Sequence, residues 1–94
     1  QGQGYQSCGW VFNAETVFDT VPLLEWIRLN PVARVKGVMR IAEGTIIFNR
    51  QGLDLSIETQ PVEPVDSRVE LIHTSEAPWN VLQSELLKAR TPKS

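Results

Sequence analysis

Residues 34–42 have the sequence RVKGVMRIA, and the rest of the architecture can be built outward from them. Apolar Val35 and Met39 alternate with charged Lys36 and Arg40. A period of two is typical of a β-strand that buries one face and exposes the other. We therefore predict a strand here, with its charged side chains on the exposed face.

Three further strands are predicted on the C-terminal side of this one, over residues 45–50, 53–58 and 67–73. Glu43-Gly44 and Gln51-Gly52 supply tight turns between the first members of this series. A loop over residues 60–66, with two prolines and two acids, leads into the last one. The apolar residues of the middle segment alternate with polar ones and are predicted to face the core. They are Leu53, Leu55 and Ile57.

One more strand and two helices complete the pattern. Residues 8–13 are rich in aromatic and branched side chains, which favours a strand. Asp19 and Thr20 are N-cap candidates for a first helix, which ends at Asn30-Pro31. A second helix follows residue 78 and ends before Thr91-Pro92. The predicted buried residues are Leu23, Leu24 and Ile27 in the first helix and Trp79, Leu82 and Leu86 in the second.

These elements predict an α+β fold in the order βαββββα. We expect a single mixed, mostly antiparallel sheet of about five strands, with the two helices on one face. The first strand and the strand after the first helix should run parallel, because such crossovers are right-handed. Residues 1–6 are interpreted as a linker remnant, residues 7–90 as one domain and residues 91–94 as a tail.

Composition argues against several classes of function. A net charge of −2 gives no general attraction to nucleic acid or to an anionic membrane, so neither is expected as a partner. No apolar run approaches the ~18 residues that a membrane-spanning helix needs. A single cysteine rules out an internal disulfide and suggests a reducing compartment, so we predict a cytoplasmic protein.

Catalytic and metal-binding patterns are absent from the sequence. A phosphate loop needs G-x-x-x-x-G-K-[ST], and the chain has only Lys36-Gly37, in reverse order. Cys8 and His73 are the single cysteine and the single histidine. We interpret Cys8 as a buried thiol, with a lone ligand at an interface as the alternative. His73 is interpreted as a structural or exposed strand-end residue. We predict no catalytic, cofactor-binding or metal-binding residue in this chain.

Four basic residues form the best candidate for a binding surface. Arg34, Lys36 and Arg40 share one strand face, and Arg68 lies on another predicted strand. Three interpretations are open. The residues form a solvated face that pairs across strands with acids, they dock on an acidic partner surface, or they make weak phosphate contacts. The acids in the first interpretation are Asp54, Glu58 and Glu70.

Several short motifs together resemble a known family. They are R-x-K-G-x-x-R-I-A at residues 34–42, Phe48-Asn49-Arg50, Asp66-Ser67-Arg68, the entry GYQSCGW at residues 4–10 and the closing helix at Trp79. This series is similar to the C-terminal domain of CobW-type proteins, a family of metal-trafficking GTPases. The resemblance extends from about residue 4 to residue 89.

The resemblance implies a parent protein that hydrolyses GTP through an N-terminal domain and takes part in metal homeostasis or cobalamin biosynthesis. GTP, magnesium and zinc or cobalt are the cofactors it implies for that parent. The phosphate loop, the C-x-C-C metal motif and the His-rich segment of full-length members do not occur in these residues. We therefore predict a non-catalytic accessory or regulatory domain. Its expected partners are the GTPase domain of the same protein and a metalloprotein client. The alternatives are an autonomous interaction or oligomerisation module and, with less support, a small enzyme.

Overall fold

The computed structural model describes residues 4–92, and within them the chain forms five strands and two helices. The elements are β1 (Gln6–Asn13), α1 (Thr20–Leu29), β2 (Arg34–Ile41), β3 (Gly44–Gln51), β4 (Asp54–Gln60), β5 (Asp66–His73) and α2 (Trp79–Leu87). The predicted α+β class and the order βαββββα are confirmed. Residues 1–3 and 93–94, which belong to the predicted linker and tail, lie outside the described residues.

The strands form one sheet in the order β1-β5-β2-β3-β4. Every neighbouring pair is antiparallel. β1 and β2 run in the same direction, as predicted for a strand–helix–strand unit, but β5 lies between them. The sheet is therefore antiparallel throughout its described pairs rather than mixed.

The hydrophobic core lies between the helices and one face of the sheet. The helices contribute Leu23, Trp26, Ile27, Leu82 and Leu86. The sheet contributes Val35, Met39, Ile41, Ile46, Phe48, Val69 and Leu71. These residues form one cluster, so both helices cover the same face of the sheet, as predicted.

Helix α1 buries a slightly different stripe from the predicted one. Trp26 is in the core, whereas Leu24 is only half-buried. The Trp26 indole Nε1 donates a hydrogen bond to the Leu82 carbonyl at 3.0 Å, which satisfies a buried donor and ties α1 to α2. Asp19 is the N-cap, but its side chain makes no capping hydrogen bond. Neither described helix is long and apolar enough to cross a membrane.

Strand β4 does not bury its apolar residues as predicted. Leu53 is fully exposed in the turn before the strand, Ile57 is 45% exposed, and Leu55 is half-buried. β4 lies at the edge of the sheet and pairs with β3 alone. The alternation correctly predicts that Leu55 and Ile57 share one face of β4. Because β4 is an edge strand, that face lies at the margin of the core and stays partly exposed.

Gly37 is required by close packing inside the sheet. A Cβ at this position would lie 2.7 Å from the Phe48 ring and 2.5 Å from the Arg68 carbonyl oxygen. Any larger residue would have to displace the ring or the neighbouring strand. The Lys36-Gly37 step is therefore a packing feature of the sheet.

Arg50 closes the C-terminal end of α1, a role that sequence analysis missed. Its Nη1 donates to the carbonyls of Ile27 and Asn30, both at 2.7 Å, and its Nη2 donates to the carbonyl of Val32. The side chain is 5% exposed. A cation here satisfies carbonyls left free by the helix end and interacts favourably with the helix dipole. The Phe48-Asn49-Arg50 motif thus has a structural basis.

Candidate docking face on the open side of the sheet

The sheet face opposite the helices, here called the open face, carries all four predicted docking residues. They are Arg34, Lys36 and Arg40 on β2 and Arg68 on β5. The strand register places Arg68 opposite Val38 and Lys36 opposite Glu70. Pairing of β2 with β5 therefore brings the predicted residues together on one surface. Their assignment as docking residues stays a prediction.

Lys36 forms an ion pair across strands. Its Nζ lies 3.5 Å from a carboxylate oxygen of Glu70. Glu70 is one of the three acids expected to neutralise this face. Asp54 and Glu58, the other two, form no ion pair with a basic residue in the described part of the chain. Lys36 is therefore paired across strands, as the first interpretation expects, but with Glu70 alone among the three expected acids.

Arg68 is paired within its own strand. Its Nε donates to Asp66 Oδ1 at 2.9 Å and its Nη2 donates to Asp66 Oδ2 at 3.1 Å. The hydrogen bond from Arg68 lowers the pKa of the Asp66 carboxyl, and the same contact raises the pKa of Arg68. Both groups are fully charged near neutral pH, so Arg68 presents a partly neutralised cation to solvent.

Arg40 has a structural role. Its Nη1 donates to the Ala14 carbonyl at 2.7 Å, and its Nη2 lies 3.1 Å from a carboxylate oxygen of Glu63. Its backbone N–H donates to Ser67 Oγ at 2.8 Å. These contacts join the segment after β1 and the loop before β5 to the central strand. Arg40 is therefore less available to a partner than the sequence pattern suggests.

Arg34 is held by a neutral neighbour on the next strand. Its Nε donates to Asn49 Oδ1 at 3.1 Å. Asn49 lies on β3, and the strand register places it opposite Lys36. The predicted cluster therefore consists of four cations that already have polar partners. Three of the four are paired with carboxylates, and Arg34 has a neutral partner.

An apolar groove crosses the open face between these charges. It has a volume of about 490 Å³, and its lining includes Val11, Val38 and Ile47 together with Lys36 and Arg68. Val11 and Val38 are 65% and 38% exposed. The lining comes from β1, β5, β2 and β3. Sequence analysis missed the groove because these strands become neighbours through long-range pairing.

Cys8 and His73 lie closer together than their sequence positions suggest. Cys8 pairs with Leu71 and His73 pairs with Gln6, so they are diagonal neighbours on β1 and β5. The backbone N–H of Ala33 donates to His73 Nδ1 at 3.1 Å, which occupies the lone pair that a metal ion would need at that atom. Cys8 is half-buried rather than buried. Among residues 4–92, no three His, Cys, Asp or Glu side chains are placed to share a metal ion.

Comparison with curated proteins gives one close relative with a named activity. The protein named zinc chaperone YeiR, from Escherichia coli (strain K12), is 68% identical over 89 residues. The match covers 95% of this chain and 27% of that protein.

The fold is also similar to part of a solved structure. A crystal structure of a Zn(II)-bound triple mutant of the YjiA GTPase aligns with a TM-score of 0.73 at 16% identity, over 94% of this chain and 30% of that one. At this identity the likeness shows the fold alone. The chain thus spans less than a third of either protein. Residues 7–90 match the family model described as the cobalamin synthesis protein CobW C-terminal domain, and the chain belongs to that family.

Proposed function

We propose that this chain is a non-catalytic accessory domain of a GTP-dependent metallochaperone and that its open face docks on the GTPase part of the same protein. The observation that carries the proposal is the apolar groove on a sheet face that no described helix covers. The metallochaperone part is supported by family membership and by the 68% identity to a protein named as a zinc chaperone. A cytoplasmic location and a metalloprotein client complete the proposal.

The proposal assigns GTP chemistry to residues outside this chain. The sequence contains no phosphate loop, and nucleotide hydrolysis by this class of protein depends on such a backbone cradle. The chain spans 27% of the curated relative, which leaves most of that protein's length for other domains. A domain without catalytic residues can then act by contact with the part that binds nucleotide.

The groove has an apolar centre and charged residues at its rim, which suits binding through apolar contact. Covering Val11, Val38 and Ile47 would remove exposed apolar surface from water, which is the main source of affinity. The flanking ion pairs, Lys36–Glu70 and Arg68–Asp66, already satisfy their charges. Such pairs contribute to orientation and association rate more than to affinity. We therefore expect a GTPase surface that is apolar at its centre and charged at its rim.

The test introduces a charge into the groove. In Val38→Asp the new carboxylate would lie opposite Arg68, so the fold should be retained, with a strand-propensity cost of at most about 1 kcal/mol. Docking would bury that carboxylate, so affinity for the separately purified GTPase part should fall at least about tenfold. Val81→Asp, at an exposed valine of α2, is the matched control and should bind like wild type. Titration calorimetry measures both, and circular dichroism checks folding.

The outcomes separate the possible functions. Equal affinity for Val38→Asp and Val81→Asp would show that the groove is not the docking surface. Absence of binding by the wild-type chain would favour an autonomous interaction module. The charge swap Lys36→Glu with Glu70→Lys preserves the ion pair, so any loss of affinity that shrinks as salt rises reports steering by these charges. Arg40 is unsuitable for such a test because it holds the Ala14 carbonyl.

A further inference from the structure

We propose that two copies of this chain pair edge to edge through β1, forming one continuous antiparallel sheet across a twofold axis. The inference goes beyond the docking proposal, because it concerns a second copy of the chain at the edge of the sheet, although Val11 belongs to both surfaces. β1 is an outer strand, and within residues 4–92 no strand pairs with its free side. Alternate residues of an edge strand direct unpaired N–H and C=O groups outward, and another strand can bind them.

The chemistry of β1 does not protect this edge. The strand is eight residues long, with the sequence QSCGWVFN. Charged residues and prolines usually protect an edge strand from edge-to-edge pairing, and β1 contains neither. Two copies could pair in antiparallel orientation without bringing like charges together. β1 is thus open to a second strand of its own kind.

The opposite edge of the sheet, formed by β4, carries charges that oppose self-pairing. β4 carries Asp54 and Glu58 and no basic residue, and Pro61 follows it directly. Antiparallel self-pairing centred on Ser56 would place Asp54 opposite Glu58 of the partner subunit, twice. Like charges opposite one another destabilise a strand pair. The acids of β4 therefore disfavour self-pairing in this register, whereas β1 carries no charge that would oppose itself in any register.

The side chains of β1 also leave apolar surface for such a neighbour. Trp10 and Phe12 point toward the core but are only half-buried, and Val11 is 65% exposed on the other face. A twofold axis at Trp10 places Val11 opposite Gly9 of the partner subunit, where no side chain competes for space. A second strand would cover all three side chains. The pairing therefore buries apolar surface on both faces of the sheet.

A contact between two strands is small compared with typical stable interfaces of about 1,600 Å². We therefore expect weak association, with a dissociation constant in the micromolar range or above. Sedimentation velocity of the wild-type chain over a concentration series should show a rising fraction of dimer.

Variants at Val11 test the geometry. Val11→Lys and Val11→Glu should each be monomeric, because the twofold axis brings residue 11 of the two copies to diagonal positions about 7–8 Å apart. An equimolar mixture of the two variants should restore the dimer through opposite charges. Ile57→Lys, at the exposed position of the β4 edge, is the matched control and should dimerise like wild type.

Each result counts for or against the proposal. A wild-type chain that stays monomeric at every concentration would overturn it, and so would Val11 variants that dimerise like wild type. Monomeric single variants whose mixture also stays monomeric would overturn the twofold pairing. Loss of the dimer in Ile57→Lys would move the contact to the other edge. Thermal unfolding of each variant distinguishes loss of pairing from loss of fold. Val11→Glu lies opposite Arg68 and should match wild type, whereas Val11→Lys sets two cations opposite one another and should unfold at a slightly lower temperature.

Discussion

Arg50 has an unusual environment for a charged residue. It is the one charged side chain that is buried among residues 4–92, and no carboxylate pairs with it. Its partners are main-chain carbonyls at the end of α1 and in the segment before β2. Burial lowers the pKa of Arg50, but a guanidinium keeps its proton in proteins, so the positive charge is permanent. One side chain on β3 therefore fixes where α1 ends and how the chain enters the sheet.

Replacing this side chain should be costly. Arg50→Met would leave the carbonyls of Ile27, Asn30 and Val32 buried without donors, at about 1–3 kcal/mol for each group that finds no other partner. We expect a loss of about 3–5 kcal/mol in the free energy of unfolding. Urea unfolding followed by tryptophan fluorescence measures it. Arg28→Met, at an exposed position in the last turn of α1, is the control and should cost at most about 1 kcal/mol, from its lost interaction with the helix dipole.

Arg50→Lys separates charge from geometry. A lysine keeps the positive charge but has a single nitrogen, which cannot take the place of two guanidinium nitrogens directed at different carbonyls. Its stability should fall between those of Arg50→Met and wild type. If Arg50→Met cost no more than Arg28→Met, the capping role assigned to Arg50 would be wrong.

At the scale of elements, local signals were enough to predict which strands and helices form. The turns that join β2 to β3 and β3 to β4 lie close to glycines, and Gly52 adopts a φ of +61° that other residues rarely accept. The pairing of β1 with β5 could not be predicted in the same way. Trp10 and Val69 are opposite each other but far apart in sequence, and no turn residue marks that contact. The position of an element in the sheet therefore depends on packing that no short segment encodes.

The apolar residues of β4 and α2 show the consequence of this limit. Both elements have clear periodic patterns, yet Leu82 is buried and Leu55 is half-buried at the sheet edge. Leu82→Ala should lower the free energy of unfolding by about 2–4 kcal/mol, because it creates a cavity. Leu55→Ala should cost less than about 2 kcal/mol, and Leu53→Ala should be near neutral. Denaturant unfolding of the three variants measures the order, and equal losses at positions 55 and 82 would contradict the edge placement of β4.

At the scale of the whole molecule, the two proposed contacts are adjacent and share Val11. The groove lies on the open face, whereas the β1 edge lies in the plane of the sheet. A twofold axis that joins two antiparallel sheets edge to edge runs perpendicular to the sheet. Both open faces would then point to the same side of the dimer. A dimer of this kind presents two grooves side by side, with Val11 of each copy at the seam between them.

The proposed accessory role, with nucleotide chemistry outside this chain, leads to a last prediction. The isolated chain should bind neither GTP with magnesium nor one tightly held equivalent of zinc or cobalt. The chain has no phosphate loop whose backbone N–H groups could bind GTP. A closed zinc site needs four ligands, and this chain offers one thiol and one imidazole. The imidazole Nδ1 of His73 already accepts a hydrogen bond from Ala33. Titration calorimetry of the purified chain with each ligand measures binding, with Cys8→Ser as the matched variant. Micromolar binding of GTP would contradict the accessory role. One equivalent of metal lost in Cys8→Ser would instead place a metal site at the β1 edge, where the diagonal pair Cys8 and His73 would be its first two ligands.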